Sequence, residues 1–368
     1  MIIRKDAMHL LPTEKKAFTD AVLALKKQPS KFHPSDESRG RYDDFVEVHY
    51  NAMMAMMMGH VPNWGHLSAA FGPWHRVYLY HFESELRATS AEAASVALPY
   101  WDWTNKPSTA AVFAPDLLGG NGQPADSQVM DGPFAHAAGN WNVVVKDDNT
   151  NPDFLTRQFG ADQSAPKLPG KTAQNAVMAI GVYDEAPWYD DSRKTAAQRN
   201  RADQLFRFRL EYDLHNLVHR YIGGDMALAS SPNDPVFWLH HCNLDRLWSY
   251  WEQTKGVSAP YAPDSGGPDG QSGDKPLIFA FSNGTPPWLG ATKPQDVYHS
   301  RAQLQVGYET DRGETRVLAD LQSAKVALAD MQMPMPAKDM YPLRREFHEA
   351  SPSAMKMFPL RQEFKANK

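Results

Sequence analysis

The chain has 368 residues, 42% apolar and 22% charged, a balance that supports one large core with embellishing loops and excludes fibrous and disordered classes. Its 38 basic and 43 acidic residues give a net charge of −5 with no basic stripe and no run of one sign, so nucleic acid is not expected as a partner. A single cysteine, Cys242, excludes internal disulfides and thiolate-rich metal clusters; no apolar run reaches membrane-spanning length, and the opening MIIRKDAMHLLPTEKKAF lacks the features of a secretory leader, so a cytoplasmic protein is expected.

In chain order, apolar residues at helical spacing predict helices over residues 13–27, 43–58 and 73–88. Residues 104–194 are rich in Gly, Pro, Asn and Asp and read as long connecting loops. Helical pattern returns over 196–221 and 235–253, with SSPNDP between them as a turn and helix-start signal. Beyond Lys255 come Gly/Pro-rich loops, then strand-like alternation in DVYHSRAQLQVGYET. A Met- and Pro-rich tail from Asp311 carries a small near-repeat, MYPLRREF and MFPLRQEF.

The histidines carry the chemistry. His215 and His219 stand four apart in LEYDLHNLVHRYIGG, so on a helix both rings project from one face within reach of a single metal ion. In PVFWLHHCNLDRLW, His241 shares a face with Phe237, Leu244, Asp245 and Trp248. Asp245, one turn on, is placed to accept the ring's second N–H and fix its tautomer; the plainer reading is an ion pair with Arg246 or another neighbour. The first half offers a parallel trio, His49, His66 and His75. Two trios suggest two metals. All-imidazole coordination favours copper, with zinc, nickel and iron open on ligand type alone. HExxH is missing, and so are the Glu-x-x-His pairs of a di-iron carboxylate bundle.

The strings H(x4)FGPWHRVYLYHFE, LPYWDW, HNLVH and SPNDPVFWLHHCNLDRLW resemble the signatures of tyrosinases, catechol oxidases and other type-3 copper proteins. The resemblance runs from the N-terminus through QVGYETD, which is similar to the tyrosine motif closing the family's core, and implies a catalytic domain over 1–310 and an extension over 311–368. It implies a mainly α fold, a four-helix bundle holding a dinuclear copper site, with long loops and few short strands. It assigns His49, His66 and His75 to one copper and His215, His219 and His241 to the other, leaving His240 as a neighbour. His60 competes with His66, but only His66 keeps the nine-residue step to His75. Trp64 stands where many eukaryotic relatives place a cysteine tied to the second histidine, so His66 is expected to be untethered. Gly72 replaces a usually larger apolar residue, which questions the packing there.

The implied chemistry is O2-dependent hydroxylation of monophenols and oxidation of o-diphenols to o-quinones, with small phenols as substrates. A phenol has a pKa of about 10, so its activation near neutral pH calls for a base. Relatives use a glutamate and an asparagine around a water; Glu211 and Asn216 match the pattern E-x-x-x-H-N. Arg220 corresponds to a position facing the entrance in relatives, Leu228 and Ala229 are expected in the pocket wall, and Phe208, two helical turns before His215, is a candidate to stack on substrate. Tyr341, Phe347, Phe358 or Phe364 of the tail would supply a blocking aromatic ring, while methionines such as Met331, Met333, Met335, Met355 and Met357 would cover apolar surface or bind Cu(I). The alternatives are a catechol oxidase, an o-aminophenol oxidase, and an O2 carrier of haemocyanin type, for whose added domain the tail looks too short.

Overall fold

The computed structural model describes residues 1–57, 65–188, 201, 204–255, 261–279 and 292–312. His60, Trp64 and the tail aromatics and methionines lie outside them. Within them the chain is mainly helical with two short strands.

Helix α1, Pro12–Lys27, starts on a proline, whose missing N–H costs nothing in the first turn. The Glu14 carboxylate accepts the Leu11 N–H at 2.9 Å, and Lys26 and Lys27 face the negative end of the helix dipole. Its buried Phe18, Ala21, Val22 and Leu25 form one stripe, which packs on α2, Arg41–Met57, and α3, Phe71–Arg87. The loop-rich middle contains two short helices that sequence periodicity does not reveal, α4 (Lys106–Val112) and α5 (Lys171–Ala179). Each has too few turns for an apolar period to stand out.

The next helical rod has three parts: α6, Phe206–Arg209; a π-helical turn, Leu210–His215; and α7, Asn216–Ile222. Helix α8, Val236–Lys255, is buried on almost every side and packs against α3. Its Trp238 ring stacks on Phe82 at 3.5 Å and 4° and donates through Nε1 to the Tyr42 hydroxyl at 2.8 Å. Tyr78 in turn donates to the Phe45 carbonyl at 2.5 Å, so α2, α3 and α8 are bolted together by one aromatic cluster.

The expected strand over the DVYHSRAQLQVGYET segment is confined to three residues. Ser300–Leu304 is a π-helical turn, and β2, Val306–Tyr308, pairs in parallel with β1, Ile2–Arg4, in the register Ile2↔Val306 to Arg4↔Tyr308. The pairing stops where the Asp311 carboxylate takes the Tyr308 N–H at 2.8 Å and the chain turns away. No helix among the described residues is long and apolar enough to cross a membrane.

Candidate metal centre

Five helical elements and one connecting segment converge on a cluster of imidazoles. His49 comes from α2, His66 from the segment before α3, and His75 from α3. His215 ends the π turn, His219 lies on α7 and His241 on α8. One nitrogen from each of His49, His66 and His75 lies within 4.8 Å of the others, as does one from each of His215, His219, His240 and His241. The two groups meet directly, with the His75 and His241 rings stacked at 4.3 Å and 19°. His240, expected as a neighbour, lies parallel to His215 at 5.3 Å and against Trp103.

The second nitrogen of most rings is held from outside. His49 Nδ1 meets the Ala229 carbonyl at 2.8 Å, His75 Nδ1 the Phe71 carbonyl at 2.8 Å, His215 Nδ1 the Asn216 Oδ1 at 2.7 Å, and His219 Nδ1 the Met226 carbonyl at 2.6 Å. An acceptor on Nδ1 fixes the proton there and leaves Nε2 as a lone pair. The Nε2 atoms of His49, His75 and His215 are buried without a hydrogen-bond partner, an arrangement that costs about 1–3 kcal/mol per atom unless something else takes the lone pair. His219 Nε2 and His241 Nε2 lie 3.3 Å apart, the separation expected of two imidazoles on one ion at about 2 Å each. Burial holds His49 down to about 3 and His219 to about 4, and drives His66, His75, His215 and His241 well below the ordinary histidine range. The rings are neutral, as ligands must be. Phe71 and Phe237 close the sides, Phe71 against His75 and His215 at 4.9 and 5.0 Å, Phe237 against His241 and His49 at 4.0 and 4.9 Å.

This donor set suits copper, with imidazole alone and no carboxylate or thiolate among the ligands. The family model described as the common central domain of tyrosinase matches residues 39–254. The chain belongs to the tyrosinase family. It is 40% identical over 306 residues to the tyrosinase of Streptomyces antibioticus, covering 82% of this chain and 98% of that protein, and 39% identical over 316 residues to that of Streptomyces glaucescens, covering 84% and 100%. Among solved structures, the fold is shared with an oxygen-bound Aspergillus oryzae pro-tyrosinase mutant at a TM-score of 0.54 and 18% identity, covering 88% of this chain and 72% of that one. As in the rest of the tyrosinase family, the cofactor is a type-3 pair of copper ions.

The other residues singled out from the sequence of this tyrosinase-family chain have partners of their own. Asp245 does not orient His241: it accepts from Arg76 Nε, from Arg4 Nη1 at 3.1 Å and from the Tyr308 hydroxyl, while His241 Nδ1 has no hydrogen-bond partner. The reason is charge, because two buried guanidiniums need a carboxylate far more than a neutral ring does. Nor is Arg246 its partner, lying instead over the Tyr100 ring.

Glu211, expected to hold a water with Asn216, is buried and accepts the Leu67 N–H at 2.7 Å and Arg207 Nη1 at 3.2 Å. Leu67 follows His66 with φ of 52°, so this carboxylate secures a left-handed residue beside a metal-site histidine. Asn216 turns its oxygen to His215. Arg220, expected at the entrance, is bound to Asp162 at 2.7 Å and to Ser164. Phe208 stacks on Tyr212 at 4.3 Å in a small satellite cluster. The π turn explains this, since its extra residue sets positions before it roughly 100° out of phase with His215.

Leu228 and Ala229 are half-buried in the segment that supplies both the Met226 and Ala229 carbonyls. Sequence reasoning read that segment as a wall and missed its role as an acceptor, because a backbone carbonyl carries no residue signature. Gly72 lies under Trp248, where a Cβ would stand 3.0 Å from the indole ring, so the large neighbour fills the space the small residue leaves.

Proposed function

We propose that the chain acts as a tyrosinase, hydroxylating monophenols to o-diphenols and oxidising o-diphenols to o-quinones, with one copper on His49, His66 and His75 and the other on His215, His219 and His241. The observation that carries this reading is the set of buried Nε2 atoms left without partners while their Nδ1 atoms are held by acceptors around the rim. When bound, the copper pair supplies the electrons that activate O2. The chain supplies geometry: carbonyls of Phe71, Met226 and Ala229 hold the rings, and Phe71 and Phe237 keep water away from them. Leu228 and Ala229 stand beside the rim as the proposed wall for the phenol ring. Glu211 and Asn216 act on the centre through Leu67 and His215, and Arg220 ties the α7 end of the site to the Asp162 loop.

The catalytic unit spans 1–310 and the extension 311–368, a division supported by the coverage of the Streptomyces antibioticus tyrosinase, nearly all of which matches 82% of this chain. Copper-reconstituted protein is expected to hold two ions per chain and to oxidise both L-tyrosine, after a lag, and L-DOPA, without one. Turnover of L-DOPA with no hydroxylation of L-tyrosine would reduce the reading to a catechol oxidase; fewer than two ions would remove it.

A further inference from the structure

Asp147 lies in the loop-rich middle of the chain and has no place among the histidine motifs. Its Oδ2 accepts the Ala229 N–H at 2.8 Å and its Oδ1 the Ser230 N–H at 2.9 Å. The second of these bonds has a geometric consequence. The Ser230 N–H and the Ala229 carbonyl belong to one planar trans peptide and point to opposite edges of it. A carboxylate gripping the N–H edge therefore aims the carbonyl edge, which receives His49 Nδ1 at 2.8 Å. Three residues earlier the same segment turns the Met226 carbonyl to His219 Nδ1 at 2.6 Å. One short stretch thus holds a ring from each trio.

The stretch is pinned at its ends as well. Asp225 accepts from Thr156 N and Oγ1 at 2.7 and 2.8 Å, and Asn233 donates to the Val145 carbonyl at 2.7 Å while its own carbonyl accepts from Trp141 at 3.1 Å. Between those pins, Asp147 is the group that fixes the peptide plane at the middle. Its bonds are charge-assisted, and they polarise the peptide so that the Ala229 oxygen becomes a stronger acceptor. A stronger acceptor on Nδ1–H makes His49 a better donor at Nε2.

We propose that Asp147 is a positioning residue for the dinuclear centre, acting through the 229–230 peptide on His49 and, along the same segment, on His219. The inference rests on the proposed assignment of these histidines to copper. The test compares D147A and D147N with D148N, whose residue is half-buried and bonded to Thr150. Copper-loaded proteins are titrated with a chelator, copper per chain is measured, and the absorption band raised by hydrogen peroxide and the thermal midpoint of metal-free protein are recorded.

D147A is expected to release copper at about 10- to 100-fold lower chelator concentration than wild type, the loss typical when the partner of a ligating histidine is removed. Its peroxide-induced band should shrink in step, with the metal-free midpoint little changed. D147N keeps one acceptor oxygen and should lose less, in the same direction, which preserves the test if D147A does not fold. D148N should match wild type. Copper retention and spectrum unchanged in D147N and D147A, in a background where wild type holds two ions, would overturn the role of Asp147 alone. Loss of metal-free stability as large as the loss of copper retention would also overturn it, by showing a merely structural bond. Fewer than two ions in wild type would overturn the dinuclear reading and this inference with it.

Discussion

Among single residues, the sharpest question is what Glu211 does. Its carboxylate is held by a guanidinium and a backbone N–H, and its hold on Leu67 acts on His66 next door. E211Q is therefore expected to depress tyrosine hydroxylation and L-DOPA oxidation together, by about 10-fold or more, with weaker copper retention, the usual scale for losing a residue that orients a ligand. Selective loss of the hydroxylase step, with diphenol oxidation and copper intact, would return Glu211 to the role of proton acceptor; parallel steady-state assays separate the two. The histidines themselves were legible because ligand chemistry restricts residue type and helices impose a spacing. Their outer partners were not, since Phe71, Met226 and Ala229 act through carbonyls that every residue possesses. Asp245 was legible as important and misread in its partner, because Arg4 and Arg76 reach it from positions that no local pattern links to it.

For the helices as elements, 3.6-residue periodicity located α1, α2, α3 and α8 closely, and failed at the π turn, where the period itself changes. The contact of α3 with α8 carries two predictions. Gly72 sits under Trp248, whose ring also bears the Arg76 guanidinium at 3.8 Å from its centroid. G72L must displace that indole and is expected to cost about 1–3 kcal/mol in denaturant unfolding. Further along α8, burial pushes the Glu252 carboxyl up to about 8 against the opposing pull of Arg76, while in an unfolded chain it titrates at about 4.3. Folding takes up a proton between these values, so the stability contributed by the neutral acid is complete below about pH 4.3 and is lost as the pH rises to 8. E252Q keeps the neutral form throughout. Its melting temperature relative to wild type should rise steadily between about pH 5 and pH 8; a flat difference would show that Glu252 is ionised in the folded protein across that range.

For the molecule as a whole, the ion network around Asp245 joins residues far apart in sequence. Arg4 on β1 binds Glu83 of α3 through Nε and Nη2, at 3.1 Å each, and reaches Asp245 of α8 and Tyr308 of β2. R4M would leave two buried carboxylates short of a counter-charge and is expected to lower unfolding stability by about 3–5 kcal/mol, measured with urea. The β1–β2 pair that presents this arginine has a temporal consequence. The first strand leaves the ribosome long before its mate, and at about 5–20 residues per second the wait for residues 306–308 lasts tens of seconds. Through that interval Arg4 lacks Asp245 and Tyr308, and the helices bearing the imidazoles lack their common clasp. The contact that joins the two ends of the described chain can form only once translation has passed Tyr308, so this clasp is among the last to be fastened during synthesis.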